Sequence, residues 1–457
     1  VYSTYMIPLT ENKDQMLRLL RKAVKSVYAS AFFSGSRTYI QTTGNLLSEE
    51  KMAVVIQSIC GSRHGDFYYP MLSGVARSVN FYPIGKEKPE DGVVNLAFGL
   101  GKTVVDGGNT LRFIPRYPKR ILQLSDMKIA LDDTQKTMYA LDLRPGAFII
   151  SKDDAVNLVR LPVSEALKGY DHPELVASTF STADNRMVPG INASGPKIIT
   201  FDYILKYSRY PLAQVLADML QICRSEMMCD IEMEFAMDVI PESPSQECVI
   251  KLLQVRPVVD YAEEQDVSIG QMEESMSEVF IRSGNALGSG EISGMTHIVY
   301  VDPERFDSAR TKEIAAEIDG LNRKMKASGS SYILIGPGRW GSSDPWLGIP
   351  VVWSSISEAK LIVECAIPGF RIEPSQGTHF FQNITSLGVG YLTIDTVTDG
   401  TSLDSSFLGR LNCLEEGKYV RLYEAPESFV AYIDRRSNRA VAGIMKNGGH
   451  GVSGMNK

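Results

Sequence analysis

Apolar residues recur at three-and-four spacing over residues 12–33 (Met16, Leu19, Leu20, Ala23, Val27, Ala31), which predicts an amphipathic helix. Residues 52–59 (MAVVIQSI) form a short, β-branched apolar run and read as a buried strand. Strand-like stretches follow at 68–72 and 74–81, and a loop rich in Pro, Lys and Glu leads into another at 93–99. Between 126 and 210 the periods are mixed, and only a helix at 162–168 and a strand at 197–201 stand out. From Pro211 to about residue 226 the signal is clear. Pro suits a first helical turn, and Leu212, Val215, Leu216, Met219, Leu220 and Cys223 line one face. Two strands, 229–237 and 249–255, flank a polar loop and read as a hairpin. Residues 263–282 read as an acidic linker. Beyond it lie a strand at 297–301, a helix at 311–327, a strand at 332–335 and an element of either kind near 358–365. The glycine-rich residues 447–457 read as a frayed end.

These elements place the chain of 457 residues in two domains, 1–262 and 283–457, of mixed α+β and α/β class. Composition is that of an ordinary globular protein, 44% hydrophobic and 22% charged. With 54 acidic and 47 basic residues the net charge is −7, against a protein that coats nucleic acid, which needs a basic surface. No apolar run approaches the roughly 18–20 residues of a membrane span. The six cysteines (Cys60, Cys223, Cys229, Cys248, Cys365, Cys413) show no C-x-x-C pair, so reduced thiols and a cytoplasmic location are expected. The start, VYSTYMIPLT, lacks an initiator Met and any leader pattern and is expected to belong to a longer chain.

The hairpin carries the most chemistry. Alternation along a strand puts Glu232 and Glu234 on one face, and Leu252, Gln254 and Arg256 on one face of its partner. In a suitable register a carboxylate, a carboxamide oxygen and a guanidinium converge. Mg²⁺ takes hard oxygen ligands and shares them with phosphates, which Arg neutralises. A solvated sheet face with a surface ion pair has the same pattern. The glycines Gly99 and Gly101, with Gly107 and Gly108 beyond, follow a strand and are placed either to cradle phosphates or simply to turn the chain; no Walker A loop or dinucleotide fingerprint is present.

Five strings then occur in one order. Ser26-Val27-Tyr28-Ala29-Ser30, Val54-Val55-Ile56-Gln57, Ser73-Gly74-Val75, residues 97–107 (AFGLGKTVVDG), and Asp230-Ile231-Glu232-Met233-Glu234-Phe235-Ala236 with Leu253-Gln254-Val255-Arg256-Pro257 resemble the "SVWAS", "VVVQ", "SGV", "YGLGExVVSG" and "DIEWA … LQARP" motifs of the phosphoenolpyruvate synthase and pyruvate phosphate dikinase family. The resemblance spans residues 26–257. It implies a partial ATP-grasp domain, with Glu234 and Gln254 as Mg²⁺ ligands, Arg256 on phosphate, Gly99 and Gly101 at the nucleotide, and adenine near Gln57, Ser58 and Ile59. Lys102 stands where the family has Glu, and the family's triphosphate-binding first half would precede residue 1, leaving half a nucleotide cleft.

A fainter likeness follows. Residues 284–301 resemble the opening of the family's swivelling phosphohistidine domain, and Gly377-Thr378-His379-Phe380-Phe381, with Leu387-Gly388 downstream, is similar to "GGxTSHAAIVARELG". This implies His379 as phosphoryl carrier, its imidazole a nucleophile toward ATP. Phe380 and Phe381 replace two alanines, and a structural histidine packed on aromatics is the alternative. The segment 336–346 (GPGRWGSSDPW) has no counterpart in the family's swivelling domain and reads equally as an anion-binding turn or a rigid aromatic loop. The expectation is therefore an ATP-dependent phosphotransferase, with ATP and Mg²⁺ as ligands and pyruvate as the family's default acceptor. The alternative is a non-catalytic, ATP-grasp-derived module that senses a nucleotide or docks a partner.

Overall fold

The computed structural model describes residues 4–8, 12–33, 36–37, 51–81, 83–151, 154–182, 184–240, 247–258, 268–342, 347–366, 380, 388–394, 400–434 and 437–446. His379 and residues 447–457 lie outside the described residues. The chain divides into two compact units, Val1–Pro257 and Val258–Lys457. Both mix helices and strands, as the α+β reading expects.

The first unit opens on the helix Lys13–Ser30, started by Asn12, whose side chain accepts from the Gln15 N–H at 3.0 Å. Its apolar stripe is only half-buried. Among the described residues the strands that follow are β1 (Ser62–His64), β2 (Phe67–Tyr69), β3 (Leu72–Arg77), β4 (Val93–Ala97), β5 (Leu111–Phe113), β6 (Thr137–Asp142), β7 (Leu158–Pro162), β8 (Ala177–Ser181), β9 (Arg186–Pro189), β10 (Lys197–Ile199), β11 (Ile231–Val239) and β12 (Cys248–Pro257). The sheet that holds the β11–β12 hairpin is antiparallel, in the order β12-β11-β3-β4-β5. Period-two alternation splits it cleanly. Leu72, Ala76, Val94, Leu96, Leu111, Phe113, Met233, Phe235 and Met237 enter the main core, and the buried side of the helix Leu212–Met227 (Leu212, Leu216, Leu220) joins the same core. The opposite face carries Arg77, Glu232, Glu234, Asn95 and Arg112 beside a small apolar patch of Val75 and Ala97.

Residues 52–59 are not a strand. Among the described residues this stretch has no backbone ladder, and Val55 and Ile56 are 86% and 71% exposed. β-branched composition gives a strand only where another strand supplies the hydrogen bonds.

In the second unit, strands β13 (Met276–Ser283), β14 (Asn285–Leu287), β15 (Gly290–Val301), β16 (Ser331–Pro337), β17 (Arg339–Trp340), β18 (Gly348–Ile349), β19 (Ala359–Cys365), β20 (Gly390–Ile394), β21 (Ser402–Leu403), β22 (Asn412–Glu416), β23 (Val420–Asp434) and β24 (Arg439–Met445) are present. The main sheet runs β14-β20-β19-β16-β15-β23-β24-β13-β21, with β22 on β23. β15, β16, β19 and β20 are parallel, and the helix Thr311–Ser328 connects β15 to β16. Ile314, Ile318, Leu321 and Met325 are its buried stripe, and Gly329 at φ 69° ends it. The element near 358–365 is a strand. The stretch expected as an acidic linker, 263–282, includes the helix Ile269–Ser275 and most of β13, which pairs with β24.

All six cysteines are unpaired thiols. No described helix is long and apolar enough to cross a membrane.

Candidate functional site

On the polar face of the first unit, register fixes the neighbours. Glu232 lies opposite Arg256 on one side and Arg77 on the other, while Glu234 lies opposite Gln254 and Val75. Asn95 and Arg112 continue the same face across β4 and β5. The Glu232 carboxylate is buried and clamped. Arg77 pairs with Oε2, and Arg256 reaches Oε1 through Nε at 2.8 Å. Arg256 also donates to Glu234 Oε1 at 2.9 Å, and Glu234 stays partly open to solvent. A buried carboxylate flanked by two guanidiniums offsets its desolvation with charge-assisted hydrogen bonds.

The hairpin departs from simple alternation at one point. Glu234 pairs with Gln254 but Phe235 pairs with Leu252, so Leu253 is the extra residue of a β-bulge. The bulge turns Leu252 away from the face of Gln254 and Arg256, correcting the expectation that all three align. The side chain of Gln57 donates to the Leu253 carbonyl at 3.0 Å, so the Gln57–Ser58–Ile59 segment runs beside β12 as exposed chain rather than as a core strand. The Tyr68 hydroxyl holds the Ile59 carbonyl at 3.3 Å.

The glycine turn after β4 reaches the same face. Gly99 is at φ 87°, and a Cβ there would meet the Tyr139 carbonyl at 2.9 Å, so only glycine fits. Its carbonyl accepts from Ser73 Oγ at 2.8 Å, and Gly101 lies against Ser73. The short helix Lys102–Val105 packs Val104 onto Val75 and Ala97. Lys102 is tied to Asp106 at 2.8 Å.

The structure thus brings Glu234, Gln254, Arg256, Gly101 and Gly99 to one sheet face and Gln57 to its edge. Arg77 and Glu232, which the sequence reading left without a role, complete the charge array. A charged residue ending the otherwise apolar β3 was the available signal. Glu234 and Gln254 offer two oxygens on adjacent strands, a donor set suited to Mg²⁺, which uses one or two protein ligands beside phosphate oxygens. No cluster of three or more His, Cys, Asp or Glu able to hold a metal occurs among the described residues.

In the second unit, residues 336–342 form a rigid turn. The N–H groups of Gly338, Arg339 and Gly341 donate to the carbonyls of Cys365, Leu347 and Ile349, and that of Trp340 donates to Glu364 Oε1. Those donors are spent within the fold, which favours the rigid-loop reading over an anion-cradling nest. Phe380, next in sequence to His379, is buried, and a Cβ on Gly341 would fall within 2.5–2.7 Å of its ring.

No curated protein matches the chain. The family model for the pyruvate phosphate dikinase AMP/ATP-binding domain matches residues 1–277, a stretch that includes every site residue of the first unit, and the chain belongs to that family of nucleotide-binding proteins.

Proposed function

We propose that the chain is the nucleotide-handling part of an ATP-dependent phosphotransferase of the phosphoenolpyruvate synthase and pyruvate phosphate dikinase type. The observation that carries the reading is the array on one sheet face, where Glu234 and Gln254 are register partners and Arg256 lies within hydrogen-bond reach of Glu234. In this reading the adenine lies along Gln57, Ser58 and Ile59, and the Gly99–Gly101 turn approaches the phosphates. Glu234 and Gln254 would hold Mg²⁺, which neutralises phosphate charge. Glu232, locked between Arg77 and Arg256, keeps the Arg256 guanidinium aimed across the face, where its remaining N–H groups would meet phosphate oxygens. His379 then receives the phosphoryl group as carrier and passes it to a small acceptor, pyruvate being the family's default.

A second reading, a nucleotide sensor without turnover, draws on Lys102, which stands where the family has an acidic residue and is paired with Asp106.

The test is incubation of the chain with Mg²⁺ and ATP labelled in each phosphate in turn, with His379→Ala alongside. An acid-labile, alkali-stable label that vanishes in the variant supports the phosphotransferase. Saturable ATP binding with no label on any histidine supports the sensor and removes the carrier.

A further inference from the structure

The carboxyl ends of the parallel strands in the second unit hold two buried polar atoms without partners. Glu364, next to last on β19, and Thr393 on β20 are opposite each other in register and therefore on one face of the sheet. Each residue is only 1% exposed. Neither Glu364 Oε2 nor Thr393 Oγ1 has a hydrogen-bond partner among the described residues. Such atoms are rare inside folded proteins and call for an explanation. On the other flank of Glu364 lies Gly336, whose missing side chain makes room for the Trp340 ring: a Cβ there would fall 2.8 Å from it.

The direction of the missing bonds follows from those already made. Glu364 Oε1 accepts from the Trp340 N–H at 3.1 Å, and the Tyr391 hydroxyl also bonds to this carboxyl. Burial pushes the acid up to about 7, against the pull of Tyr391, the Trp340 N–H and the Arg339 guanidinium; the other titratable neighbour, the Cys365 thiol, is itself raised by burial and stays neutral. Below about pH 7 the carboxyl is therefore mostly protonated, and Oε2, the oxygen with no donor pointing at it, is where the proton belongs. Thr393 brings a second hydroxyl. Two O–H donors without acceptors, beside the positive charge of Arg339, form a site short of acceptor oxygens. Ligands of open parallel sheets gather at this same carboxyl edge.

We propose that Glu364 and Thr393, with Arg339, form a second ligand site in this chain, one that takes a small oxyanion, a phosphate or a carboxylate. The site is built wholly from residues of the second unit, so it does not depend on the function proposed above. An oxyanion that reaches it is shielded from water, which strengthens each donated bond.

Tryptophan fluorescence is a local reporter, because the three tryptophans fall at residues 340, 346 and 353 and Trp340 is bonded to Glu364. The full chain is titrated to equilibrium with inorganic phosphate, with acetate, and with chloride as ionic-strength control, at pH 6 and pH 8. A saturable response to phosphate or to acetate, absent with chloride, is expected, and whichever anion gives it identifies the ligand class. Affinity should fall about tenfold from pH 6 to pH 8 as Glu364 loses its proton. Thr393→Val should weaken binding at least several-fold with the emission maximum unchanged, and Glu364→Gln should bind acetate equally at both pH values. No saturable response to either anion overturns the proposal, as does unchanged binding by a folded Thr393→Val.

Discussion

The Gln57 side chain and the Leu253 carbonyl are joined by a 3.0 Å hydrogen bond across 196 residues of sequence, at the one position of β12 with no residue opposite it on β11. The bulge frees the carbonyl, and the amide occupies it. A strand edge is thereby tied to exposed chain that has no ladder of its own. Removing the amide in Gln57→Ala costs about 1 kcal/mol or less in stability, since the bond is exposed and neutral. The same loss of anchoring at the proposed nucleotide edge should appear as a roughly fivefold weaker ATP affinity, read by calorimetry beside a thermal midpoint lowered by no more than a few degrees. Equal ATP affinity in the variant would remove Gln57 from the nucleotide site.

Glu232 tests the charge array from the inside. Glu232→Gln leaves Arg77 buried against a neutral amide and strips Arg256 of one of its two carboxylates. Breaking a buried pair by removing one partner costs roughly 3–5 kcal/mol. Urea unfolding should show that loss in the first unit. The double variant Arg77→Leu/Glu232→Leu, which removes one buried charge of each sign, should recover part of it.

Glu364 gives the second unit a pH dependence of unusual sign. A buried acid raised from 4.5 to about 7 binds its proton more tightly folded than unfolded. Stability is then full below pH 4.5 and falls as pH rises to about 7, by roughly 3 kcal/mol over the window. Acid unfolding driven by paired carboxylates has the opposite slope. The experiment is a series of urea melts between pH 5 and pH 8, followed by tryptophan emission, which reports this unit alone. Glu364→Gln should flatten the curve, and a wild-type slope that survives the substitution would assign the dependence to another group.

Much of this architecture was legible in the sequence, and the exceptions have physical causes. The helix Leu212–Met227 and the β11–β12 hairpin follow from period and turn residues, because each buries one face against a single core. The facing of Glu234 and Gln254 follows from alternation as far as the bulge. Nothing in the local sequence marks the bulge at Leu253, so Leu252 was assigned to the wrong face. Residues 52–59 failed for a related reason: an apolar β-branched run records a preference, and whether a partner strand meets it is a tertiary fact. The clamp of Arg77 on Glu232 joins residues 155 apart, and the Glu364–Thr393 pair depends on parallel register, which no local pattern encodes. The family motifs picked out residues that the fold brings to one sheet face, without revealing that Arg256 and Glu234 are bonded to each other.

That bond carries the last prediction. Glu234 Oε1 accepts from Arg256 at 2.9 Å, so the carboxylate that would hold Mg²⁺ is shared with a guanidinium. Glu232 supplies Arg256 with a second carboxylate, so Arg256 keeps an anchor when Glu234 is removed. Glu234→Ala should therefore leave the fold intact, with a change in stability near that of a partly exposed ion pair, about 1 kcal/mol or less. Its effect should fall on metal linkage. ATP affinity measured with Mg²⁺ should drop by about tenfold or more, the loss of one charged ligand to a divalent ion. Affinity measured in excess chelator should change little or improve, because one negative charge near the phosphates is gone. Gln254→Ala should show the same pattern at smaller size, its oxygen being neutral. Equal losses with and without Mg²⁺ would make Glu234 a structural partner of Arg256 and take it out of the metal site.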